Sequence, residues 1–212
     1  MFERFIQAFP KEINGEGLED FADISDLIER ELHVPVPKKL AQFWEDVGVG
    51  YFGERMIYFF GGASDSAARD SLLAWNTKDF WEAVYPPPAQ GGPVFFAENC
   101  FGDQIGFRWS DGKPIYILFL VDTFESFVIA TNDDEFFEEL MTDRYSLVDE
   151  DRYRAVFDKL GPLKTGMHYA PLVSPMLGGS GSSDNFCFET PNVHFRTAIQ
   201  TFLTKKPAQF EV

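Results

Sequence analysis

The chain has 212 residues and carries 34 acidic against 18 basic side chains, which gives a formal net charge of −16 at pH 7. A field this negative repels phosphate backbones, so the composition argues against nucleic-acid binding and favours a basic partner. Hydrophobic residues make up 45% and aromatic residues 17% of the chain. This is ample material for a core and argues against disorder.

The N-terminus and the cysteines bear on the compartment. The stretch MFERFIQAFPKEI is broken by charged residues and by Pro10, which is not typical of a secretory signal. No apolar run approaches the length of about 18 residues that a membrane span needs, so no membrane partner is expected. Cys100 and Cys187 lie in apolar sequence, where buried free thiols are favoured over a disulfide. We therefore expect a cytoplasmic protein.

Helices are predicted in the first part of the chain. Apolar residues recur at helical spacing from Leu18 to Leu32, which predicts an amphipathic helix ending near His33. Pro37 is suited to begin the next helix, PKKLAQFWEDV, and Gly48 follows its end. A glycine-rich turn then leads into MIYFFGG, which is typical of a buried strand. Short helices are predicted in DSAARDSLLAW and KDFWEAVY, before a run of three prolines.

Four short apolar runs follow, and they predict an antiparallel meander. They are VFFAEN, QIGFRWS, KPIYILFLV and ESFVIAT. The break SDGK, residues 110–113, is a strong hairpin pattern between the second and third runs. The segment Asp122–Phe124 is predicted to be the next turn.

The last part of the chain returns to helical patterns. Asn132 and Asp149 are suited to cap two helices, and Gly161 with Pro162 is suited to end the second. A closing helix is predicted in NVHFRTAIQTFL. The order of helices, meander and helices predicts an α+β fold, an antiparallel β-meander flanked by helices. We divide the chain into an N-terminal helical segment, 1–33, a core, 34–145, and an extension packed on it, 146–212.

The sequence offers no candidate catalytic residue, cofactor site or metal site. The segment LVSPMLGGSGSSDN, residues 172–185, lacks the lysine and the following helix of a phosphate loop, so we interpret it as a tight ordered turn. The three histidines, His33, His168 and His194, have no metal-ligand spacing among themselves or with the cysteines. Paired carboxylates abound, and we interpret them as solvated helix faces.

Two stretches, 34–61 and 95–141, resemble the SUKH superfamily of bacterial toxin-immunity proteins. That family combines a P-x-x-L-x-x-F/W helix and a G-x-G turn with a strand run containing GD-x-I/L-x-F/W and DG-x-I/V-Y, then a short acidic-aromatic helix. The matching positions are Pro37, Leu40, Phe43, Gly48, Gly50, Gly102, Asp103, Ile105, Phe107, Asp111, Gly112, Ile115, Tyr116, Phe136 and Leu140.

The segment 157–199 resembles the C-terminal domain of immunity proteins that guard against type VI secreted DNase effectors. The shared pattern runs LG-x-L, a tyrosine, LGG, an asparagine and a histidine. The matching positions are Leu160, Gly161, Leu163, Tyr169, Leu177, Gly178, Gly179, Asn185 and His194. By this resemblance the LGG segment is a fold element and not a ligand loop.

The resemblance implies a cytoplasmic immunity protein that binds and neutralises a cognate secreted effector without turnover. The expected partner is a basic nuclease domain of the type VI secretion kind, and the expected contacts are acids near the hairpin and the following helix, with one aromatic anchor. These residues are Asp103, Trp109, Asp111, Asp122, Glu125, Asp133 and Asp134. Two alternatives stay open: a regulatory scaffold of the same superfamily, and a small-ligand protein or enzyme with a pocket around His168, His194 and the glycine turn.

Overall fold

The computed structural model describes residues 2–12, 23–62 and 70–205. Its centre is a six-stranded antiparallel sheet in the order β1-β2-β3-β4-β5-β6, and a separate two-stranded sheet pairs β7 with β8. The predicted α+β class with a β-meander is confirmed. The strands are β1 Gly50–Phe52, β2 Ile57–Phe59, β3 Val94–Asn99, β4 Gln104–Ser110, β5 Lys113–Leu120, β6 Glu125–Ala130, β7 His168–Pro171 and β8 Phe186–Glu189.

Helices lie on both faces of the sheet. Several short 3-10 turns connect them, and residues Glu135–Glu139 form a π-helical turn. The α-helices are α1 Glu3–Ala8, α2 Asp23–Leu32, α3 Lys38–Asp46, α4 Leu72–Asn76, α5 Arg144–Val148, α6 Glu150–Leu160 and α7 Pro191–Lys205. Within the described part of the chain no helix is long and apolar enough to cross a membrane.

The predicted hairpin and caps follow local chemistry. Asp111 and Gly112 join β4 to β5 with φ values of 50° and 74°, the positive pair that a two-residue type I′ turn requires. The Asn132 side chain accepts from the backbone N–H of Glu135 at 2.9 Å, as a cap should. Asp149 accepts from the backbone N–H of Arg152 at 3.2 Å at the start of α6.

One face of the sheet holds a phenylalanine cluster under α1 and α3. The Phe43 ring lies 5.2 Å from Phe5 and 4.8 Å from Phe59, centroid to centroid. Tyr116 stacks on Phe136 of the π-helical turn at 4.1 Å. Paired aromatic rings bury large apolar areas, so these contacts explain why the sequence places phenylalanines on this face of the sheet.

The opposite face packs against α4, α7 and the 3-10 turn Asp79–Ala83. Phe195 of α7 contacts Trp75 at 5.0 Å and Trp81 at 5.2 Å, and Trp81 contacts Phe95 of β3 at 4.5 Å. The C-terminal helix is therefore part of the main core. The same helix places His194, in its first turn, against Asp122 of the β5–β6 turn.

The glycine-serine segment is an ordered turn between β7 and β8, as predicted. A Cβ on Gly179 would come within 1.8 Å of the Val173 carbonyl oxygen, so only glycine fits there. The Asn185 side chain donates to the carbonyls of Val173 and Ser180, both at 2.8 Å, and accepts from the Val173 N–H at 2.9 Å. These bonds tie the two ends of the loop together.

Several elements differ from the sequence predictions. Strands β1 and β2 form a hairpin where the sequence predicted a turn followed by one strand. The pair of strands β7 and β8 was not predicted. The segment KDFWEAVY forms the 3-10 turn, not an α-helix. Residues 18–22 of the helix predicted from Leu18, and residues 65–69 of the helix predicted in DSAARDSLLAW, lie outside the described residues.

Both cysteines are free thiols, Cys100 buried and Cys187 half-buried.

Candidate functional site

Two histidines that are 26 residues apart meet in the interior. His168 begins β7 and His194 lies in α7, and their Nδ1 atoms are 3.2 Å apart. His168 Nε2 lies 2.9 Å from Glu98 of β3, and His194 Nε2 lies 2.9 Å from Asp122 in the β5–β6 turn. The exposed fractions of the two histidines are 0% and 4%. The four side chains form one buried chain of hydrogen bonds, which we call the histidine network.

Further side chains extend the histidine network at both ends. Gln104 donates to Glu98 at 2.9 Å, and the Trp75 indole N–H donates to Gln104 at 2.6 Å. At the other end the Arg152 guanidinium lies 3.7 Å from the Asp122 carboxylate and 4.0 Å from the Phe101 ring centroid. The network therefore ties the sheet to α4, α6, α7 and β7, and gives its buried charges oppositely charged neighbours.

Gly102 makes the approach of the two rings possible. A Cβ at this position would lie 2.6 Å from His168 Nδ1 and 3.1 Å from His194 Nδ1. Its φ of +86° is in the region that favours glycine. The Gly102 carbonyl also accepts from the Gln104 side chain at 2.9 Å.

The contact between the two rings is a hydrogen bond. Each imidazole uses Nε2 toward a carboxylate, so one Nδ1 atom donates to the other across the 3.2 Å contact. Beside the network, burial and the Asp122 carboxylate raise the pKa of Asp103.

The histidine network lies in the interior. Its four side chains are buried and bonded to one another. Among the described residues no group of three or more histidine, cysteine or acidic side chains could hold a metal ion. The pocket hypothesis expected His168 and His194 together, and they do meet, but both rings are buried.

Two of the acids predicted to contact a partner are interior residues, which corrects the expectation that they are exposed. Asp103 accepts from the Asn99 side chain at 3.0 Å and from the Val121 N–H at 3.2 Å. Asp122 is bound by His194 and Arg152 under α7. Both lie in turns between strands, where acids are ordinarily solvated, but the C-terminal elements cover these turns.

The remaining predicted contact residues lie at or near the surface. Asp111, Glu125 and Asp134 are exposed. Asp133 is half-buried and accepts from the Tyr116 hydroxyl at 2.8 Å. Trp109 is half-buried, and its indole N–H donates to the Pro35 carbonyl at 2.7 Å. This hydrogen bond holds one edge of the ring against the segment before α3.

The acids after β6 share one lysine. Lys39 lies 2.5 Å from Asp134 and 2.6 Å from Glu138, and these two hydrogen bonds raise the lysine pKa. Lys39, together with Arg4, which donates to the Glu138 carbonyl at 3.2 Å, thus faces a segment with five acids, Asp133, Asp134, Glu135, Glu138 and Glu139. The segment keeps a net negative charge.

Strand β6 is an edge of the six-stranded sheet. Among the described residues it pairs with β5 alone, and four consecutive residues, Glu125–Val128, are exposed. The exposed fractions of Phe127 and Val128 are 48% and 53%. We call β6 with the acids at its two ends, Glu125 at its start and Asp133 and Asp134 after it, the edge surface. The acids of this surface were predicted from the sequence, but its exposed apolar centre was not, because the run ESFVIAT is typical of a buried strand.

A cleft of about 290 Å³ lies near the end of α2, against the 3-10 turn Asp79–Ala83. Its walls include Trp81, Tyr85 and Phe95, with Pro86–Pro88 on one side. The polar groups at the cleft include His33 and Lys78, and Lys78 is paired with Asp70 at 3.1 Å. None of the residues predicted to act in a site lines the cleft.

Comparison with known proteins supports the fold. No protein-family model and no curated protein matches the chain. The crystal structure of Atu4351 from Agrobacterium tumefaciens is similar, with a TM-score of 0.63 and 15% sequence identity over 94% of this chain and 89% of that chain. At this identity the similarity concerns the fold alone, and it agrees with the α+β architecture described above.

Proposed function

We propose that the chain is an immunity protein that binds a secreted effector one to one, in the cytoplasm, and neutralises it without turnover. The effector would be a basic nuclease of the type VI secretion kind. One observation carries the proposal: the edge surface combines exposed apolar side chains with acids at both of its ends. The sequence resemblance of segments 34–61, 95–141 and 157–199 points to the same function.

The charge of the chain suits a nuclease as partner. A nuclease active site must attract phosphate and therefore tends to be basic. Residues 122–158 hold 12 acids and 3 bases, a net charge of −9, and this segment includes β6 and the acids that follow it. Complementary charge speeds encounter with a basic protein and excludes acidic ones.

The burial of the histidine network favours binding over catalysis. The chain does bring two histidines and two carboxylates together, the residue types of acid-base catalysis. Here each of them is used in a bond that joins secondary-structure elements, and none faces an opening. The cleft beside Trp81 is the feature that would favour the small-ligand alternative, and a regulatory scaffold would use the same edge surface with another partner.

The test starts from capture of partners on the immobilised chain, from a lysate of the source organism, followed by titration of the captured nuclease. We expect full inhibition at one chain per nuclease, with binding that weakens as salt rises. The variant Asp111→Asn/Glu125→Gln/Asp134→Asn should weaken binding about tenfold, since exposed ion pairs contribute about 0.2–1 kcal/mol each.

A matched control separates local contacts from net charge. The variant Asp26→Asn/Asp151→Asn/Asp158→Asn changes the net charge equally, through exposed acids of α2 and α6. It should bind like the wild type at moderate salt. Equal weakening by both triple variants would mean that the net charge of the chain, and not contacts at the edge surface, determines binding. Capture of no protein, with a metabolite bound in the purified chain, would favour the cleft instead.

A further inference from the structure

We propose that the partner adds an extended segment to β6 as a seventh strand of the sheet. The segment would have apolar side chains at its centre and lysine or arginine at both ends. This inference rests on the proposed function, since it names the surface and the kind of segment that the effector would use. Strand addition at a sheet edge is a general mode of protein recognition, in which main-chain hydrogen bonds supply affinity.

The two edges of the sheet differ in whether another described segment is bonded to them. At β1 the N-terminal segment covers the edge: Glu12 N–H donates to Tyr51 O at 3.0 Å, and Gly53 N–H donates to Pro10 O at 2.8 Å. Lys11 also forms an isolated bridge with Phe52. In the described part of the chain no strand or bridge pairs with the outer side of β6. An open edge of this kind is normally protected, because it is a template for another strand.

The side chains of β6 suit a strand partner. Phe127 lies opposite Leu118 and Val128 opposite Ile117, so successive side chains project from opposite faces of the sheet. Both are about half exposed, which leaves an apolar contact on each face for an added strand. Cross-strand contacts between apolar and β-branched side chains stabilise a sheet by about 0.2–1 kcal/mol each.

The charges at the ends of β6 select against a second copy of this chain. Two copies paired antiparallel along β6 would bring Glu125 of each toward Asp133 and Asp134 of the other. Like charges across a strand pair are destabilising, so self-pairing is disfavoured. The same arrangement favours a segment with cations at both ends, because each end of β6 then finds an opposite charge.

The test uses the full chain and a defined probe, an acetylated eight-residue peptide with four valines at its centre and two lysines at each end. Titration of the ¹⁵N-labelled chain should shift the amide signals of residues 125–130 and slow their hydrogen exchange. The same peptide with glutamates in place of the lysines should not bind. Val128→Lys should weaken binding of the lysine peptide about tenfold, since a lysine on an edge opposes strand addition. Phe127→Lys provides a second, independent variant.

The control variant is Leu177→Lys, which changes a residue of the β7–β8 loop that is 58% exposed, and it should bind the peptide like the wild type. Shifts confined to the acids after Asn132, with no change in hydrogen exchange along β6, would overturn the proposal in favour of charge attraction alone. Dimers in sedimentation that Val128→Lys dissociates would also overturn it, in favour of a second copy.

The edge proposal and the proposed function can fail separately. If Val128→Lys inhibits the captured nuclease as well as the wild type does, the partner does not use β6 and the immunity function stands. If the lysine peptide pairs with β6 but no nuclease is captured, the edge is a strand-binding site and the immunity function fails.

Discussion

Replacing His194 with alanine is expected to lower the free energy of unfolding by about 3–5 kcal/mol, because it removes a hydrogen-bond partner from two buried polar groups, at about 1–3 kcal/mol each, and leaves a cavity where the ring packed. The substitution leaves the Asp122 carboxylate without its 2.9 Å partner and His168 Nδ1 without its 3.2 Å partner. It also removes a ring that packs beside Phe195 at 6.4 Å. The loss should appear as a lower urea midpoint with an unchanged slope.

Two further variants identify the cause of that loss. His33→Ala removes an exposed histidine and should change stability by no more than about 0.5 kcal/mol. His194→Gln keeps a donor that can reach toward Asp122, so it should destabilise less than the alanine does. If His194→Ala and His33→Ala cost the same, the histidine network does not stabilise the fold.

This expectation changes how a loss of function at His194 is interpreted. A low activity in His194→Ala would be expected from an enzyme and equally from an unfolded binding module. The substitution therefore distinguishes the pocket hypothesis from the immunity hypothesis only when the variant is shown to be folded. Substitutions at β6 are better suited, because Phe127 and Val128 are exposed.

The parts of the fold that the sequence predicted are those set by local rules. The β4–β5 turn follows from Asp111-Gly112, the start of α6 from Asp149, and the β7–β8 turn from its glycines. Each depends on a few neighbouring residues, whose chemistry limits the backbone whatever the rest of the chain does. The meander followed for the same reason, since its strands are consecutive in the chain.

The histidine network could not be predicted, because its members come from four distant segments. Glu98 and His168 are 70 residues apart, and Asp122 and His194 are 72 apart. Nothing in the sequence around Asp122 indicates that α7 covers the β5–β6 turn. The position of Asp122 in a turn therefore predicted an exposed side chain. One signal was available: Gly102 and Asp103 match one of the two patterns that the sequence resembles and His194 matches the other, although neither pattern says that they meet.

Gly102→Ala is the second large effect that we expect, a destabilisation of about 2–5 kcal/mol. Two costs combine at this position. The left-handed φ of +86° costs a residue with a Cβ about 1–2 kcal/mol. The added methyl group would also lie 2.6 Å from His168 Nδ1, and such overpacking costs about 1–3 kcal/mol.

Gly112→Ala separates these two costs, because it carries the first without the second. Its φ is +74°, and nothing lies within 4 Å of the position that a Cβ would take. The difference in unfolding free energy between the two alanine variants therefore measures the strain imposed on the histidine pair. Equal losses in the two variants would mean that the rings move aside at no cost, and that the contact between the two Nδ1 atoms is not what fixes β7 and α7 to the sheet.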